Sequence, residues 1–271
     1  MVLHGLKIVC LGGGAMGEAL LTGVIEAGLV SPRDVFVTDV RNERTGYLKE
    51  KLGVNAAADN RRAASAADIL ILAVKPQVVA SLLEEIAPDL VPEKTVISIA
   101  AGINTGFIEK FFDLPVPVVR VMPNTPCLVG AGASAVSPGK HAQKAHLDQA
   151  MAIFSAAGRA EVVPEQLLDV VTGLSGSGPA YMYLILEGLV DGAVRLGLPR
   201  STALLLCAQT MLGAARMVLE TGRHPAMLKD MVTTPGGTTI AGLFALEEGG
   251  MRGLLMEAVE AATRRSQELS G

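Results

Sequence analysis

The chain has 271 residues, of which 50% are hydrophobic, 18% charged and 3% aromatic, and its formal net charge is -4. This length suits one large domain or two modest ones, and the abundance of Ala, Leu and Val predicts closely packed helices. The slightly acidic balance gives no electrostatic reason to expect nucleic acid or an anionic membrane as a partner. An anionic ligand must therefore be held by local geometry.

The number and spacing of the cysteines indicate the redox state of the compartment in which the protein works. Cys10, Cys127 and Cys207 lie far apart and form no Cys-x-x-Cys pair. An odd, scattered set of this kind predicts reduced thiols and a cytoplasmic protein. The first residues, MVLHGLKIVCLGGG, lack the charged region and the small-residue cleavage site of a signal peptide.

The most membrane-like run of the sequence is AYMYLILEGLVDGAVRLGL. It carries Glu187, Asp191 and Arg195 at four-residue spacing, which places all three on one face of a helix. We therefore interpret it as a buried helix with one polar stripe and expect no membrane span there.

From Lys7 to about Val163, short β-branched runs alternate with helical patterns. The predicted strands are IVCLG, DVFVTD, DILILAV, TVISIA and PVVRVM, which are apolar throughout, as strands buried on both faces are. Helical patterns separate them, and a helix at roughly 141–157 and a short strand, AEVV, complete this half. The alternation predicts an α/β fold with a doubly wound, Rossmann-type parallel sheet.

From Pro164 onward the pattern contains no convincing strand. We predict a domain boundary near Val163–Pro164, with a dinucleotide-binding domain over 1–163 and an all-helical domain over 164–271. The helices of the second domain are apolar around most of their circumference, and a domain of this size cannot bury so much surface alone. The sequence thus predicts a homodimer formed through intertwined helices.

The first predicted strand runs into a glycine-rich loop, Gly12-x-Gly14-x-x-Gly17, and then into a helix. In such a loop the first glycine makes a tight turn and the second lets the backbone approach a pyrophosphate. The third glycine lets the helix pack against the strand. The position of the loop, at the start of a βαβ series, predicts a dinucleotide site.

The second predicted strand ends in FVTDVRNER, where the adenosine ribose of a dinucleotide would lie. Asp39 sits where a carboxylate accepts hydrogen bonds from both ribose hydroxyls, which favours NAD. Arg41 and Arg44 follow closely and could instead meet the 2′-phosphate of NADP. Solvated charges in a first helical turn explain the two arginines equally well, so the choice of cofactor stays open.

Two further strand ends are expected at the same crevice. DILILAV leads into Lys75 and Pro76; proline suits a first helical position, and the lysine points toward the ligand. TVISIA leads into Ala101 and Gly102, which are small enough for a nicotinamide ring to lie against the backbone. The segment MPNTP, residues 122–126, is expected on the same rim.

The residues of the second half of the chain limit which kind of substrate the protein can reduce. Reduction of a carbonyl needs a proton donor such as Lys, His or Tyr. No lysine occurs between Lys144 and Lys229, and the four histidines stand in no motif. A protonated imine already carries its proton and needs only orientation. Two glycine-rich helix starts, GLSGSGPAY and PGGTT, suggest N–H groups that hold a small anion such as a carboxylate, although PGGTT alone fits an ordinary helix start.

From Lys7 to about Leu269 the sequence resembles the Δ1-pyrroline-5-carboxylate reductase family. The resemblance rests on GGGAMGEAL, ILAVKP, SIAAG, RVMPNTP, GLSGSGPAY and DMVTTPGGTTIAGLFALEEGG, in this order and spacing. It implies NAD(P)H-dependent reduction of a small cyclic imine to L-proline, the last step of proline biosynthesis. It also implies a helical domain that dimerises, with dimers often assembling into larger rings.

The resemblance further implies which residues contact each ligand. Thr239 would be catalytic, with its hydroxyl at the ring nitrogen, and the backbone N–H groups of Thr238 and Thr239 would bind the substrate carboxylate. Asp39 stands where many relatives have a small hydroxyl or neutral residue, so NADPH is favoured by the resemblance and Asp39 leaves NADH open. No metal is expected. The expected substrate contacts are Glu165, Ser175, Gly236, Gly237, Thr238 and Thr239; the expected cofactor contacts are Gly12, Gly14, Ala15, Met16, Gly17, Asp39, Asn60, Ala73, Val74, Lys75, Pro76 and Ala101.

Other functions compete with this one. Within enzymes they are a reductase of a related cyclic imine and a hydroxyacid dehydrogenase of similar build, and the missing lysine counts against the second. A non-catalytic NAD(P)-binding dimer that senses redox state is the alternative from a different class. Such a sensor would bind the cofactor without oxidising it.

Overall fold

The computed structural model describes residues 3–57 and 59–270. Packing divides the chain into two compact units, Met1–Ser177 with Ala261–Gly271, and Gly178–Glu260. The last strand of the described chain ends at Val162, yet the residues from 164 to 177 pack with the sheet. The functional boundary near Val163–Pro164 stays a prediction.

The first unit is built on one eight-stranded sheet, among the residues that the structure describes, with the order β3-β2-β1-β4-β5-β6-β7-β8. All neighbouring strands are parallel except β6 and β7, which are antiparallel. The order runs outward in both directions from β1, so the predicted doubly wound fold is confirmed. The strands are β1 Ile8–Leu11, β2 Val35–Thr38, β3 Asn55–Ala57, β4 Ile69–Leu72, β5 Thr95–Ser98, β6 Val118–Met122, β7 Gly132–Pro138 and β8 Gly158–Val162.

Two strands were not predicted, and one of them changes the topology. β3 has three residues, Asn-Ala-Ala, and β7 reads GASAVSP, so neither has the β-branched pattern of the others. Small residues are needed in β7 because β8 and Cys127 lie against it: a Cβ atom on Gly132 would lie 3.0 Å from the Ala157 carbonyl oxygen. β7 pairs antiparallel with β6, and the other neighbouring strands of the predicted parallel sheet are parallel.

Helices cover both faces of the sheet. Along β1, Ile8 and Cys10 belong to one hydrophobic core, and Val9 and Leu11 belong to the other. This alternation follows from the two-residue repeat of a strand, and it explains why the predicted strands are apolar throughout. The helices of this unit are α1 Ala15–Glu26, α2 Asn42–Leu52, α3 Asn60–Ala66, α4 Pro76–Ile86, α5 Thr105–Glu109, α6 Lys144–Ser155 and α7 Leu168–Val171.

The second unit is helical and buries little of its own surface. Val190 and Ala203 are buried, whereas Leu184, Leu205 and Phe244 are 70%, 69% and 67% exposed. A single copy of this unit therefore has almost no hydrophobic core, in keeping with the predicted apolar helices. Its helices are α8 Gly178–Arg195, α9 Arg200–Thr221, α10 Pro225–Met231, α11 Thr238–Glu248 and the first half of α12 Met251–Ser270.

One helix of the described chain, α9, is long and apolar enough to cross a membrane by length and composition. The segment of α8, which the sequence indicates as the most membrane-like run, does not have this length and composition. Only 6% of the apolar window of α9 is buried within the chain. An exposed apolar helix is equally typical of a subunit interface.

Candidate active site

The glycine loop joins β1 to α1, and its three glycines have different surroundings. Gly12 has a φ of 106°, and a Cβ atom there would lie 2.6 Å from the Ala73 carbonyl oxygen. A Cβ atom on Gly17 would lie 2.6 Å from the Gly12 carbonyl oxygen. A Cβ atom on Gly14 would meet nothing within 4 Å. Packing thus requires the first and third glycines, and open space lies beside the second.

This open space adjoins the start of α1. Gly14 is the N-cap and has no side-chain cap, and the N–H groups of a first helical turn have no acceptor within the helix. They form the positive end of the helix dipole, where phosphate groups bind. The loop therefore fits the pyrophosphate of a dinucleotide, as the sequence predicts.

A cavity of about 630 Å³ extends from this loop along the ends of β1, β2 and β4. Among the residues predicted to bind the cofactor, it brings together Gly12, Gly14, Asp39, Asn60, Ala73, Val74 and Lys75. Ala15, Met16, Gly17, Pro76 and Ala101 do not line it. Pro76 is the first residue of α4, as predicted, and Ala101 lies exposed in the turn after β5.

Asp39 is bound on several sides where β2 ends. Its Oδ2 atom accepts a hydrogen bond from the Gly13 N–H at 3.1 Å, and its Oδ1 atom accepts one from the Arg41 N–H at 2.9 Å. The Arg41 guanidinium also pairs with it, at 3.0 Å. Burial raises the pKa of Asp39, but the hydrogen bonds and charge of Arg41 outweigh burial and leave the pKa below its usual range.

Arg44 has a different role from Arg41. Its guanidinium donates to the Gly13 carbonyl oxygen and pairs with Glu18 in the first turn of α1. Glu18 also accepts hydrogen bonds from Tyr47 at 3.2 Å and Lys51 at 2.7 Å. Burial raises the pKa of Glu18, but the hydrogen bonds from Lys51 and Arg44 lower it further than burial raises it. Arg44 therefore braces the glycine loop against α2, a function that the sequence did not reveal.

α3 and α4 contribute another part of the cavity wall. The Asn60 side chain donates a hydrogen bond to Glu85 at 3.0 Å. Both side chains line the cavity, as do Val78 and Leu82 of α4. Glu85 was missed in the sequence because a single glutamate in a helix carries no signal of its own.

The segments MPNTP and GLSGSG meet beside β7. Residues Thr172–Gly176 form a π-helical turn, in which the Ser177 N–H donates to the Thr172 carbonyl oxygen at 2.8 Å. The buried Asn124 side chain donates to the Ser175 carbonyl oxygen at 3.0 Å and accepts from the Ala133 N–H at 2.9 Å. Turns of this type are frequent at functional sites. The sequence predicts a glycine-rich helix start that holds an anion here; it predicts neither the π-helical turn nor the contact of Asn124 with it.

Glu165 lies in the first unit with Thr105 and Arg120. Its carboxylate accepts hydrogen bonds from the Thr105 N–H at 2.8 Å and from the Thr105 hydroxyl at 2.6 Å. Arg120, which is buried, pairs with it at 3.4 Å. Both carboxylate oxygens are thus occupied by protein groups.

The turn PGGTT begins α11 in the helical unit. The N-cap is Gly237, without a side-chain cap, and Thr238 and Thr239 are the first two helical residues. Gly236 has a φ of 67°, and the Gly237 N–H donates to the Thr234 carbonyl oxygen at 3.0 Å. No side chain caps this helix start, and its first N–H groups have no acceptor within the helix.

Among the residues that the structure describes, no group of three or more His, Cys, Asp or Glu side chains could hold a metal ion. All three cysteines are free thiols, and Cys10 and Cys127 are buried. Burial, with a smaller contribution from Asp39, raises the pKa of Cys10 to about 12, so this thiol is inert in neutral solution.

The dinucleotide loop, the doubly wound sheet and the helical unit with its exposed apolar face together define a class of nucleotide-dependent oxidoreductases with a dimerising helical domain. Residues 165–269 match the family of pyrroline-5-carboxylate reductase dimerisation domains. Residues 7–102 match the family described as NADP oxidoreductase coenzyme F420-dependent.

Individual relatives are similar to this chain over nearly its whole length. A pyrroline-5-carboxylate reductase from Methanosarcina acetivorans is 49% identical over 263 residues, covering 97% of each chain. The structure of such a reductase from Coxiella burnetii, 40% identical, has a TM-score of 0.94 and covers 98% of this chain and 99% of its own. A Plasmodium falciparum pyrroline carboxylate reductase with NADP bound is 34% identical, with a TM-score of 0.87 and coverage of 99% and 100%.

The chain belongs to the pyrroline-5-carboxylate reductase family. It is an NAD(P)H-dependent oxidoreductase whose helical part is a dimerisation domain. The predicted family, fold class, enzyme class and nicotinamide cofactor are thereby confirmed.

Proposed function

We propose that this chain reduces 1-pyrroline-5-carboxylate to L-proline, with the dinucleotide held at the glycine loop and the imine at the start of α11. The observation that carries the proposal for the substrate is the uncapped helix start at Gly237. A bound nicotinamide cofactor supplies the hydride that reduces the imine carbon. The protein's part is to bind and orient the two molecules.

The substrate carboxylate is proposed to bind the free N–H groups of Thr238 and Thr239. These groups lie at the positive end of an 11-residue helix, which favours a negative charge. Gly236 and Gly237 carry no side chain that would keep the ligand from the backbone. The turn supplies no positive side chain, so the carboxylate is recognised by backbone geometry.

Thr239 is the proposed catalytic residue. Its hydroxyl oxygen accepts a hydrogen bond from the protonated ring nitrogen and so orients the C=N bond. As the imine carbon is reduced, the π electrons of that bond pass to the nitrogen, which keeps its proton. No strong acid is needed, in agreement with the lack of lysine between Lys144 and Lys229.

Ser175 and Glu165 are proposed to serve the substrate site by positioning. The Ser175 hydroxyl donates to the Val171 carbonyl oxygen at 3.2 Å and so supports the π-helical turn. Glu165 fixes the start of α5 through Thr105. The turn with Ala101, where the nicotinamide is proposed to lie, directly precedes α5.

At the level of assembly, we propose a homodimer through the helical domain, 164–271, with the dinucleotide-binding domain over 1–163. A ring of dimers is the proposed higher assembly, and the cytoplasm is the proposed location, supported by three unpaired cysteines. Neither nucleic acid nor a membrane is a proposed partner, because the net charge of -4 offers no attraction to either.

The test is the initial rate of NADH and NADPH oxidation by the full chain with racemic pyrroline-5-carboxylate, followed by detection of proline. We expect oxidation with at least one cofactor and proline in equal amount. Cofactor binding without oxidation would contradict the proposal and favour a sensor. Oxidation only with an imine of another ring size would contradict the assigned substrate.

A further inference from the structure

The wall of the nucleotide cavity contains both members of an ion pair, Asp39 and Arg41. The two side chains favour different cofactors, since a carboxylate binds the free ribose diol of NADH and a guanidinium binds the 2′-phosphate of NADPH. The Asp39 side chain is 9% exposed, whereas that of Arg41 is 65% exposed. The arginine is therefore the member of the pair that faces solvent and has room to turn away.

The hydrogen bonds of Asp39 leave no place for a ribose while Arg41 is bound. Oδ1 accepts from the backbone N–H of Arg41 at 2.9 Å and from its Nε at 3.0 Å. Oδ2 accepts from the Gly13 N–H at 3.1 Å and from the Arg41 guanidinium at 3.3 Å. Each carboxylate oxygen accepts about two hydrogen bonds. Two of the four bonds come from the guanidinium, so its departure frees one acceptor position on each oxygen.

The guanidinium can leave without disturbing the fold. Arg41 is the N-cap of α2, and its carbonyl oxygen accepts from Arg44 N at 3.0 Å and Thr45 N at 3.3 Å. These bonds hold the backbone while the side chain turns. An ion pair with one member mostly in solvent is weak, because water solvates the separated charge well. After the guanidinium leaves, Asp39 still accepts from two backbone N–H groups.

Arg44 is unsuited to the same exchange. Its side chain is 21% exposed and is bound to the Gly13 carbonyl oxygen and to Glu18. Moving it toward a phosphate would release both partners and the brace on the glycine loop. Of the two arginines that the sequence offered for a 2′-phosphate, the contacts single out Arg41.

We propose that Asp39 and Arg41 form an exchange site through which this chain accepts both cofactors. With NADPH, Arg41 leaves Asp39 and pairs with the 2′-phosphate, while two backbone N–H groups offset the charge of Asp39. With NADH, Arg41 turns into solvent and Asp39 accepts the ribose hydroxyls. This inference deepens the cofactor binding of the proposed function and is independent of the imine substrate.

The test measures the dissociation constants of NADH and of NADPH. Each is obtained from a nicotinamide fluorescence titration of the full chain in the absence of imine. We expect the wild type to bind the two cofactors within about tenfold of each other, since each exchanges a charge-assisted contact. Arg41→Ala should weaken NADPH about tenfold or more and leave NADH within about twofold. Asp39→Ser should weaken NADH by a similar factor and spare NADPH.

The matched control is Arg33→Ala, which removes an exposed arginine at the opposite end of β2 and should change neither constant. Arg41→Lys retains the charge and should restore part of the NADPH affinity. The proposal would be overturned if Arg41→Ala lost affinity for NADH and NADPH equally. It would also be overturned if the wild type bound one cofactor more than about a hundredfold more tightly than the other. Binding of both cofactors without imine reduction would contradict the proposed function and support the exchange site.

Discussion

Gly12, Gly14 and Gly17 lie in one loop, yet each is a glycine for a different reason. At Gly12 the φ angle of 106° and the Ala73 carbonyl oxygen exclude a side chain, and at Gly17 the Gly12 carbonyl oxygen does so. At Gly14 nothing in the protein excludes one. The spacing of the motif predicted these roles from the sequence, because each glycine occupies a fixed place in the strand–turn–helix unit.

The substitution Gly14→Ala should therefore weaken cofactor binding without affecting the stability of the fold. The added methyl group enters the space proposed for the pyrophosphate, so the dissociation constant for the cofactor should rise about tenfold or more, while stability changes by less than about 0.5 kcal/mol. Fluorescence titration and chemical denaturation measure the two effects. Gly46→Ala, in the exposed face of α2, is the control and should stabilise the fold by about 1 kcal/mol without changing binding. Unchanged binding in Gly14→Ala would show that the pyrophosphate lies elsewhere.

The second prediction for a single residue concerns the side chain of Thr239. Thr239→Ala removes the hydroxyl proposed to hold the ring nitrogen but keeps the backbone N–H groups. We expect turnover to fall about tenfold to a hundredfold, in the range of one lost polar contact at a reacting group, with cofactor affinity nearly unchanged. Thr239→Ser keeps the hydroxyl and should retain most of the activity. Steady-state kinetics of the three proteins compare them, and equal rates would remove Thr239 from the mechanism.

At the scale of elements, the sequence predicted helices and strands well where periodicity was strong. The apolar runs of β1, β2, β4, β5 and β6 lie in the centre of the sheet. The sequence pattern did not predict β7 or the π-helical turn Thr172–Gly176, because both depend on residues distant in sequence. Asn124 joins these two elements through Ser175 and Ala133. Such a tertiary contact has no local pattern to reveal it.

Asn124→Ala tests this connection. The substitution leaves the Ser175 carbonyl oxygen and the Ala133 N–H, both in partly buried positions, without their partner. The expected loss is about 1 to 2 kcal/mol of unfolding free energy, because polar groups removed from water without a hydrogen bond are costly. Urea denaturation measures it. The exposed Asn42→Ala should cost less than about 0.5 kcal/mol. Equal stability of the two variants would mean that Asn124 does not hold the turn.

At the scale of the whole molecule, the helical unit needs a partner. Leu184, Leu205, Phe244 and Leu254 are each more than half exposed in one chain, and residues 165–269 match a dimerisation family. The sequence predicted this from helices that are apolar on most faces. It could not reveal which side chains form the interface, since that depends on how two copies pack.

Leu205→Glu places a charge on the exposed apolar surface of α9. We expect the variant to sediment as a smaller species than the wild type, because a carboxylate buried in an apolar interface is strongly unfavourable. Analytical ultracentrifugation measures this. Leu114→Glu, at a half-exposed leucine of the first unit, is the control and should keep the native size. A native assembly in Leu205→Glu would place the interface elsewhere.

The measurement that tests the central proposal most directly follows a deuterium label. The full chain is given racemic pyrroline-5-carboxylate and reduced cofactor in which both hydrogens at nicotinamide C4 are deuterium, and the product is examined by mass spectrometry and NMR. Reduction of the imine predicts proline with a single deuterium at C5, the former imine carbon. Oxidised cofactor with unlabelled proline, or label in another product, would contradict the proposed reaction.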